Sequence, residues 1–591
     1  MSKYLFEISW EVANKIGGIY TVISSKAKYV KNKFGDRYFV IGPYLGAKNE
    51  QEFHFLPIPS KFENLVNNLA NKGINVYYGE WLIEGRPNGF LIDFRKYLYE
   101  VNSLKYDLWI KFQIDSLRTG PDYDEPLCWS KAVSDFIEEL LKDNEYKGSI
   151  FHFHEWLSGF AILFTLNLPI IKIFTTHATV LGRTLSGNNI LFWDNLPNID
   201  PEKEAYRFGV EAKHLVEKNS AKYADYVTTV SKITAEEVEY FLKRKVDFIL
   251  PNGIVLTKFP TFEEISNLHR KNKFALLEFI LYFFSPYYKS SCPIKNSFIF
   301  FTSGRKEIIN KGFDITILAL GELNKKLKKE NANFNIYFFI FVPDNFIDIN
   351  QEILNNLIAY RSLEEYLSNI SSEINSRLLH SLIHGKDLET KEIFSSEELL
   401  EIQRILKKLK SSSRAPVSTH IFPPENEFLK LLNQAELKNN EDDVVKVIFY
   451  PIYLNPADGF LNLNYYDAIN GSHLGIFPSY YEPWGYTPLE TLSAGVMTIT
   501  SDLTGFANYL EEKKLINPNY PGIWILKRKN RPQEDVIKDL VNYLSNIVKM
   551  DRSQRIQNKF EARMIASYFD WSKIIENYFH LYDLAWRKYE S

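Results

Sequence analysis

The chain has 591 residues, more than one hydrophobic core usually organises, so two large domains are expected. Hydrophobic residues make up 45% and charged residues 24%, a composition that excludes an intrinsically disordered protein. The 70 basic and 73 acidic residues leave a formal net charge of -3. The overall charge therefore argues against nucleic acid or an anionic membrane as a partner.

Cysteine content and hydropathy both indicate a cytoplasmic protein. Cys128 and Cys292 are too few for a disulfide framework, and no CxxC pair is present, as expected in a reducing compartment. The N-terminus has no basic segment followed by an apolar run, so no signal peptide is expected. Polar residues such as Lys172 and Glu278 interrupt the most apolar stretches. These stretches are too short to span lipid, and no membrane segment is expected.

Short apolar runs alternate with longer helix-like segments along the chain. The first set of runs is YLFEISW, YFVIGPY, IFHFHEW, IIKIFTTH, YVTTVS and DFILPNG. The second set is SFIFFTSG, FNIYFFIFV, VVKVIFYP, HLGIFPSYY, VMTITSD and GIWIL. This alternation predicts an α/β protein with two doubly wound, Rossmann-like domains in tandem and a cleft between them.

Turn signals and charge place the boundaries. Residues 250–260, LPNGIVLTKFP, separate the two sets of runs, so we predict an N-terminal domain at 1–253 and a C-terminal domain at 254–565. The strand rhythm stops between about 343 and 443, where charged, helix-like sequence predicts a helical insertion. Residues 566–591 are predicted to form a helix that packs back on the N-terminal domain.

Ligands of open α/β sheets bind beyond the carboxyl ends of the strands. Polar residues that directly follow the apolar runs are therefore candidates for ligand binding. After the first run, Lys15 precedes Gly17 and Gly18 in a strand-to-helix loop. Their amides are candidates for binding a phosphate near a helix N-terminus. An ordinary loop that needs positive φ is the alternative, and it is the better interpretation of two isolated glycines.

Histidines follow the next two runs. His152 and His154 form an HxH pair that is able to bind a metal, but no acidic or cysteine cluster at ligand spacing accompanies it. We therefore expect hydrogen-bonded core histidines and no metal. His177 lies in the polar loop TTHAT, where we expect it to hold a sugar hydroxyl or a phosphate.

Two cations follow the first run of the second set. Arg305 comes directly after Ser303 and Gly304, and Lys311 precedes the next helix-like segment. Such a pair at a strand end would stabilise the charge that grows on a diphosphate leaving group. A pair of solvated surface cations is the alternative, and the position at the strand end favours a functional role.

The segment SYYEPWGYTPLE carries two glutamates on either side of a turn. Glu482 precedes the turn, and its backbone is expected to be extended because Pro483 follows it. Glu490 comes after the turn. Thr487 to Glu490 fits a helix capping box with Pro488 at the first helical position. The purely structural interpretation of Glu490 is therefore helix capping.

Together these motifs resemble the glycogen synthases of animals and fungi, which have the two-domain GT-B fold. The resemblance is carried by FEISWEVANKIGGIYTVISSKA, HFHEWLSG, FTTHATVLGR, ADYVTTVSKITAEE, LPNGI and SYYEPWGYTPLE, and covers nearly the whole chain. It implies transfer of glucose from UDP-glucose to the 4-hydroxyl at the non-reducing end of an α-1,4-glucan. The implied reaction retains configuration and needs no metal or other cofactor.

The resemblance also implies roles for individual residues. Arg305 and Lys311 match the pair that faces the donor diphosphate, and Glu482 matches a residue near the reacting sugar, where it would stabilise charge without attacking covalently. Glu490 is expected near the ribose and Tyr465 on the uracil. Catalytic roles are thus expected for Glu482, Arg305, Lys311 and His177, and substrate contacts for Lys15, Gly17, Gly18, Arg183, Tyr465, Trp484, Gly485, Thr487 and Glu490.

Assembly and regulation are further expectations from the resemblance. The helical insertion is similar to the segment through which family members assemble, so a homotetramer is expected, together with a self-priming partner of the glycogenin type. The family senses glucose 6-phosphate through an arginine-rich helix. Here Arg555, Lys559 and Arg563 form a basic stripe, but Glu561 and Met564 stand where further arginines are expected. We expect weak or absent activation.

Two other interpretations stay open. One is a related GT-B glucosyltransferase that uses ADP-glucose or another glucan acceptor. The other is a glucan-binding scaffold without catalysis, which would be expected to have lost some of His177, Arg305, Lys311 and Glu482, although all four are present. A phosphorylase is disfavoured because no pyridoxal-lysine segment is recognisable.

Overall fold

A computed structural model describes residues 4–288, 296–385, 388–409 and 414–591. The predicted pair of doubly wound α/β sheets is confirmed, one sheet in each half of the chain. Cys128 is a buried free thiol, and Cys292 lies outside the described residues.

The first sheet has the strand order β3-β4-β5-β2-β1-β6-β7-β8-β9 and is parallel except where β4 pairs with β3 and β5. Its strands are β1 (Leu5–Ile8), β2 (Tyr38–Pro43), β3 (Phe53–Phe55), β4 (Val76–Trp81), β5 (Asn88–Ile92), β6 (Ile150–His154), β7 (Ile171–Thr176), β8 (Tyr226–Thr229) and β9 (Phe248–Ile249). The helices of this half are α1 (Gly18–Phe34), α2 (Ala47–Glu50), α3 (Ser60–Asn71), α4 (Arg95–Leu98), α5 (Val101–Phe112), α6 (Pro121–Leu140), α7 (Glu155–Phe164), α8 (Val180–Gly187), α9 (Pro201–Arg207), α10 (Glu211–Tyr223) and α11 (Lys232–Phe241).

The second sheet is parallel throughout, in the order β14-β11-β10-β15-β16-β17. Its strands are β10 (Ser297–Ser303), β11 (Asn335–Phe341), β14 (Val445–Tyr450), β15 (Leu474–Phe477), β16 (Met497–Ser501) and β17 (Ile523–Leu526). The helices around it are α12 (Ile265–Phe284), α13 (Phe313–Lys329), α18 (Glu427–Gln434), α19 (Tyr465–Gly471), α20 (Tyr486–Ser493), α21 (Gly505–Glu512), α22 (Gln533–Val548) and α23 (Arg552–Ser567).

The central strands of the second sheet explain why the sequence shows continuous apolar runs. Every residue of β10, SFIFFTS, and of β11, NIYFFIF, is buried, because helices cover both faces of the sheet. Polar side chains are therefore confined to the strand ends, where they meet solvent and ligands.

The helical insertion lies between β11 and β14. It contains α14 (Gln351–Asn369), α15 (Ser371–Ile383), α16 (Thr390–Ile393) and α17 (Ser396–Leu406), and a small antiparallel pair, β12 (Asp348–Ile349) with β13 (His420–Ile421), joins its ends. Leu379, Ile383 and Leu400 are more than half exposed on it, at 59%, 77% and 69%.

The chain passes between the two halves at two adjacent places. The Ile254 amide donates to the Phe569 carbonyl at 2.8 Å, and the Trp571 amide donates to the Ile254 carbonyl at 3.1 Å. The last helix, α24 (Trp571–Glu590), then packs on the first half, with Phe579 against Phe34 of α1. In the described part of the chain no helix is both long enough and apolar enough to cross a bilayer.

Candidate active site

The loops at the carboxyl ends of the two sheets are hydrogen-bonded to each other. Trp193 of the first half donates from its amide to the Tyr480 hydroxyl at 3.0 Å and from its indole to the Tyr480 carbonyl at 3.2 Å. The Tyr481 hydroxyl donates to Glu237 at 3.0 Å, and the Ser231 hydroxyl donates to the Pro483 carbonyl at 2.7 Å. Glu482 is thus held where the two halves meet.

Lys311 forms an ion pair with Glu482, and both side chains are only partly exposed, at 15% and 23%. The approach depends on Gly312, whose φ is 71°, because a Cβ there would lie 2.1 Å from the Pro478 carbonyl oxygen. Glu482 is extended as predicted, and its carbonyl accepts from the Gly505 amide at 3.0 Å. One cation and one anion therefore stand together at the ends of β10 and β15.

Arg305 lies on the solvent side of this pair. Its side chain is 76% exposed, and it contacts Glu307 at 3.0 Å. It borders a cavity of about 510 Å³ beyond β10, β11 and β14, lined by Ser303, Gly304, Arg305, Lys306, Phe341, Pro343, Ile452, Tyr453, Leu454, Tyr465 and Thr487. The cavity combines a basic edge with an aromatic and aliphatic floor, which suits an anionic ligand with a flat ring.

Two tyrosines line this cavity in different ways. Tyr465, at the start of α19, shares a hydrogen bond of 2.9 Å with the Ser303 hydroxyl, so its ring is fixed. Tyr453 is 79% exposed at the opening. The sequence motifs identified Tyr465 but not Tyr453. The polar and aromatic stretch directly after β14 could have indicated Tyr453, because it follows the carboxyl end of a strand.

The capping-box prediction for Glu490 is wrong. Helix α20 begins at Tyr486, two residues earlier than the box requires, and its N-cap is Gly485, with φ of 114° and no side-chain cap. A glycine in this conformation turns the chain into the helix without a capping side chain. Glu490 is instead free for other partners and accepts from the Tyr466 hydroxyl at 3.1 Å. Burial raises the pKa of Glu490 to about 7.

Trp484 does not lie where a substrate contact was expected. Its ring is 3% exposed and packs against Phe506, Tyr509 and Phe569. The large apolar ring supports the turn after Glu482 from the inside, so the ring has no surface to offer to a substrate.

His177 belongs to a buried chain of hydrogen bonds. Its Nε2 lies 3.0 Å from His154 Nδ1, and His154 Nε2 lies 2.8 Å from Glu7 Oε1. Glu7 is also paired with Lys26 and accepts from the Tyr38 hydroxyl at 2.6 Å. Sequence reasoning missed Glu7 because it lies on β1, 147 residues before the histidine that it contacts, His154.

The HxH pair is hydrogen-bonded in the core, as predicted. His152 contacts Tyr582 of α24 at 2.9 Å and Thr175 at 2.6 Å. Among the described residues, Glu7, His152 and His154 do have donor atoms within 4.8 Å of one another. However, each imidazole nitrogen already has a partner, and the Lys26 ammonium occupies the carboxylate.

Glu155 shapes the loop that carries His177. It has φ of 62°, a left-handed conformation that is costly for a residue with a side chain. Its carboxylate accepts from the His177 amide at 2.9 Å and the Ala178 amide at 3.3 Å. Burial raises the pKa of Glu155 to about 7, and the nearby Arg183 opposes that shift. Arg183 itself is exposed.

The glycine loop is occupied by a carboxylate of the chain itself. Lys15, Gly17 and Gly18 are exposed, but Glu11 accepts from the Gly17 amide at 2.9 Å and from the Tyr20 amide at 2.7 Å. The helix N-terminus that was a candidate for binding a phosphate is therefore partly neutralised by Glu11.

A second basic region lies at the amino ends of β10 and β15, the edge opposite the site described above. Lys559 is deeply placed there, and burial, together with Lys273 and Arg555, lowers its pKa to about 7. Arg563 points elsewhere and donates to the Pro260 carbonyl at 2.9 Å. The basic stripe expected from the sequence is thus divided, and Lys273 of α12 joins one part of it.

Two doubly wound sheets whose carboxyl edges meet, with a cation–carboxylate pair at the edge of the second, have the architecture of the GT-B fold. A solved structure of the catalytic domain of starch synthase IV from Arabidopsis thaliana, bound to ADP and acarbose, shares this fold with a TM-score of 0.52 and 14% identity, covering 99% of this chain and 100% of that one.

The family-level comparison is more specific. Residues 7–590 match the family model described as glycogen synthase. The chain is 35% identical to the glycogen (starch) synthase of Neurospora crassa, over 99% of this chain and 84% of that protein. It is 32% identical to the human liver glycogen (starch) synthase, over 98% of this chain and 82% of that protein. The chain belongs to the glycogen synthase family.

Proposed function

We propose that the protein transfers glucose from UDP-glucose to the non-reducing end of an α-1,4-glucan with retention of configuration. The observation that carries the proposal is the Lys311–Glu482 ion pair beside Arg305 and the aromatic cavity. The cations Lys311 and Arg305 suit an anionic leaving group, Glu482 suits the sugar, and the aromatic cavity suits a flat base.

The reaction has one bond to break and one to form. The bond between the anomeric carbon and the UDP oxygen breaks, and the glucan 4-hydroxyl oxygen bonds to that carbon on the same face. The acceptor's proton passes to the leaving phosphate. Lys311 and Arg305 stabilise the charge that grows on the diphosphate, so the chemistry is proposed to need no metal or other cofactor.

Glu482 is proposed to stabilise positive charge on the sugar without covalent attack. Its pairing with Lys311 supports this role, because an ion-paired carboxylate is a weaker nucleophile and is held by a fixed partner. When the diphosphate binds, Lys311 lies between two anions and keeps both in place.

The cavity accommodates the nucleoside. Tyr465 and Tyr453 are proposed to contact the uracil, and Glu490 to accept hydrogen bonds from the ribose. Thr487, at the start of α20, lines the same cavity. On the other side of the cleft, His177 and Arg183 are proposed to face the glucose and phosphate, and Lys15, Gly17 and Gly18 to lie near the donor. Closure between the two halves would exclude water and limit hydrolysis.

Assembly and location complete the proposal. Exposed Leu379, Ile383 and Leu400 on the helical insertion support a homotetramer built through that segment, which light scattering would test. A glycogenin-type priming partner and a cytoplasmic location are proposed as well.

A transfer assay tests the function. Radiolabelled UDP-glucose and ADP-glucose are supplied separately with glycogen, with and without EDTA. We expect label in the glucan from UDP-glucose at a rate that EDTA does not change. A clear preference for ADP-glucose would establish the related-transferase alternative, strict dependence on added magnesium or manganese would contradict the metal-free reaction, and no transfer from either donor would favour a scaffold.

A further inference from the structure

The buried chain that ends at His177 determines what this imidazole offers to a ligand. A neutral imidazole carries a proton on one nitrogen and a lone pair on the other, and the partners of one nitrogen decide the state of the second. In His177, Nε2 faces His154. None of the described residues hydrogen-bonds to its Nδ1.

The direction of the hydrogen bonds follows from Glu7. Lys26 and the Tyr38 hydroxyl both donate to Glu7, so it is an ionised acceptor. Burial opposes its ionisation, but Lys26 and the hydrogen bond from His154 hold the pKa of Glu7 well below the ordinary value. His154 Nε2 therefore carries a proton and donates to Glu7 Oε1.

The protonation of His154 in turn determines that of His177. Burial lowers the pKa of His154 and holds that of His177 well below the ordinary value, so both imidazoles are neutral. Since His154 Nε2 is protonated, its Nδ1 has a lone pair and accepts a proton from His177 Nε2 at 3.0 Å. The remaining nitrogen of His177, Nδ1, is left with a lone pair.

We propose that Glu7 is a positioning residue that, through His154, holds His177 as the Nε2-protonated tautomer, so that Nδ1 accepts a hydrogen bond from a hydroxyl group of the donor sugar. A phosphate oxygen is itself an acceptor and gains nothing from a lone pair. Between a sugar hydroxyl and a phosphate as the ligand of His177, the hydrogen bonds from Glu7 through His154 therefore favour the sugar hydroxyl. This inference rests on the proposed function for the identity of the donor.

Three variants separate this role from general support of the fold. His154→Phe keeps an aromatic ring beside His177 but removes the acceptor for its Nε2 proton. Glu7→Leu combined with Lys26→Met removes both buried charges together, which avoids leaving either one unpaired. Tyr38→Phe is the matched control, because it deletes a donor to Glu7 and leaves the bond to His154 in place.

The tautomer is read directly from the intact enzyme. Long-range proton–nitrogen spectra of protein labelled with nitrogen-15 histidine distinguish protonated from unprotonated ring nitrogens, and loss of a signal in His177→Gln assigns it. We expect an unprotonated Nδ1 for His177 in the wild type and in Tyr38→Phe, and mixed tautomers in His154→Phe and in the Glu7→Leu, Lys26→Met double variant. A protonated Nδ1 in the wild type overturns the proposal, whether or not any variant folds.

The acceptor role is read from donor selectivity. UDP-glucose is compared with its 3-, 4- and 6-deoxyfluoro analogues, whose fluorine is unable to donate a hydrogen bond. We expect one analogue to lose about tenfold or more in kcat/KM in the wild type and in Tyr38→Phe, because an acceptor is left unpaired. In His154→Phe, where either tautomer is allowed, the loss should shrink to about threefold or less.

If the hydrogen bonds from Glu7 to His177 only support the fold, the kinetic result is different. Loss of that support lowers kcat/KM for every donor by the same factor, and an unchanged analogue ratio in a folded His154→Phe enzyme would overturn the proposal. Failure of the proposed function is distinguishable, since an enzyme that transfers nothing from UDP-glucose still reports the tautomer of His177 in the spectra.

Discussion

Lys311 and Glu482 form an ion pair between the loop after β10 and the loop after β15, although 171 residues separate them in the chain. Neither side chain is fully buried, so Lys311 is able to contact an anionic ligand while it stays near Glu482. This pair is the centre of the proposed site.

Replacing Lys311 by alanine should lower kcat by about a hundredfold or more, because the growing charge on the leaving diphosphate loses its stabilising cation. Arg305→Ala should act in the same direction. The measurement is initial rate against UDP-glucose concentration, with Lys325→Ala, a surface lysine on α13 paired with Glu322, as the control. Near wild-type turnover in both Lys311→Ala and Arg305→Ala would show that the diphosphate is stabilised elsewhere.

Glu482→Ala should lose activity that azide does not restore. If Glu482 formed a covalent bond to the sugar, a small anion would replace it in the alanine variant and release a glucosyl azide. We expect no such product in mass spectra of reactions with UDP-glucose and azide. Its appearance, with recovery of UDP release, would assign Glu482 as a nucleophile.

Tyr453→Ala should raise KM for UDP-glucose by about tenfold and leave kcat nearly unchanged. Loss of an exposed ring at the cavity opening removes contact with the base equally in the ground and transition states. Tyr99→Ala, at another tyrosine that is 94% exposed, serves as the control. A fall in kcat with constant KM would place Tyr453 near the chemistry rather than the base.

Glu217→Gln should stabilise the protein at high pH. Burial raises the pKa of Glu217 to about 8, whereas an unfolded glutamate titrates near 4.3. The folded state therefore binds an extra proton between these values, and this contribution to stability is complete below about pH 4.3 and is lost as the pH rises through 8.

The glutamine variant does not titrate, and it is able to keep the contacts with Thr176 and the Val180 amide. We expect its apparent Tm to exceed that of the wild type by on the order of 2 °C at pH 9, with a smaller difference at pH 6. Thermal unfolding followed by circular dichroism at both values checks this. A larger gain at pH 6 would contradict the assigned shift.

Glucose 6-phosphate should activate the enzyme weakly or not at all. Arg563 is engaged by the Pro260 carbonyl, and Glu561 accepts from Asn517 at 3.0 Å where a further cation was expected. The check is initial rate at sub-saturating UDP-glucose with and without millimolar effector. Strong activation that disappears in Lys559→Ala would show that Lys559, Arg555 and Lys273 suffice for binding.

Local sequence patterns were enough for the fold class and for much of the candidate site. Runs such as SFIFFTSG indicate strands that are buried on both faces of a parallel sheet. The polar residues that follow such runs, including Arg305 and His177, therefore lie at the carboxyl edge of the sheet. The same reasoning selected Glu482 and Lys311 without knowledge that they touch.

Contacts between distant segments were decided only by the tertiary structure. Glu7 reaches His154 from a neighbouring strand, and Glu11 occupies the glycine loop from a preceding turn, because strand order and loop geometry are set by the packing of the whole sheet. Trp484 looked like a ligand contact beside Glu482, yet its large apolar ring gains more from burial against Phe506 and Phe569. A sequence pattern records which residues lie at a strand end, whereas side-chain direction and partner depend on what the fold brings opposite them.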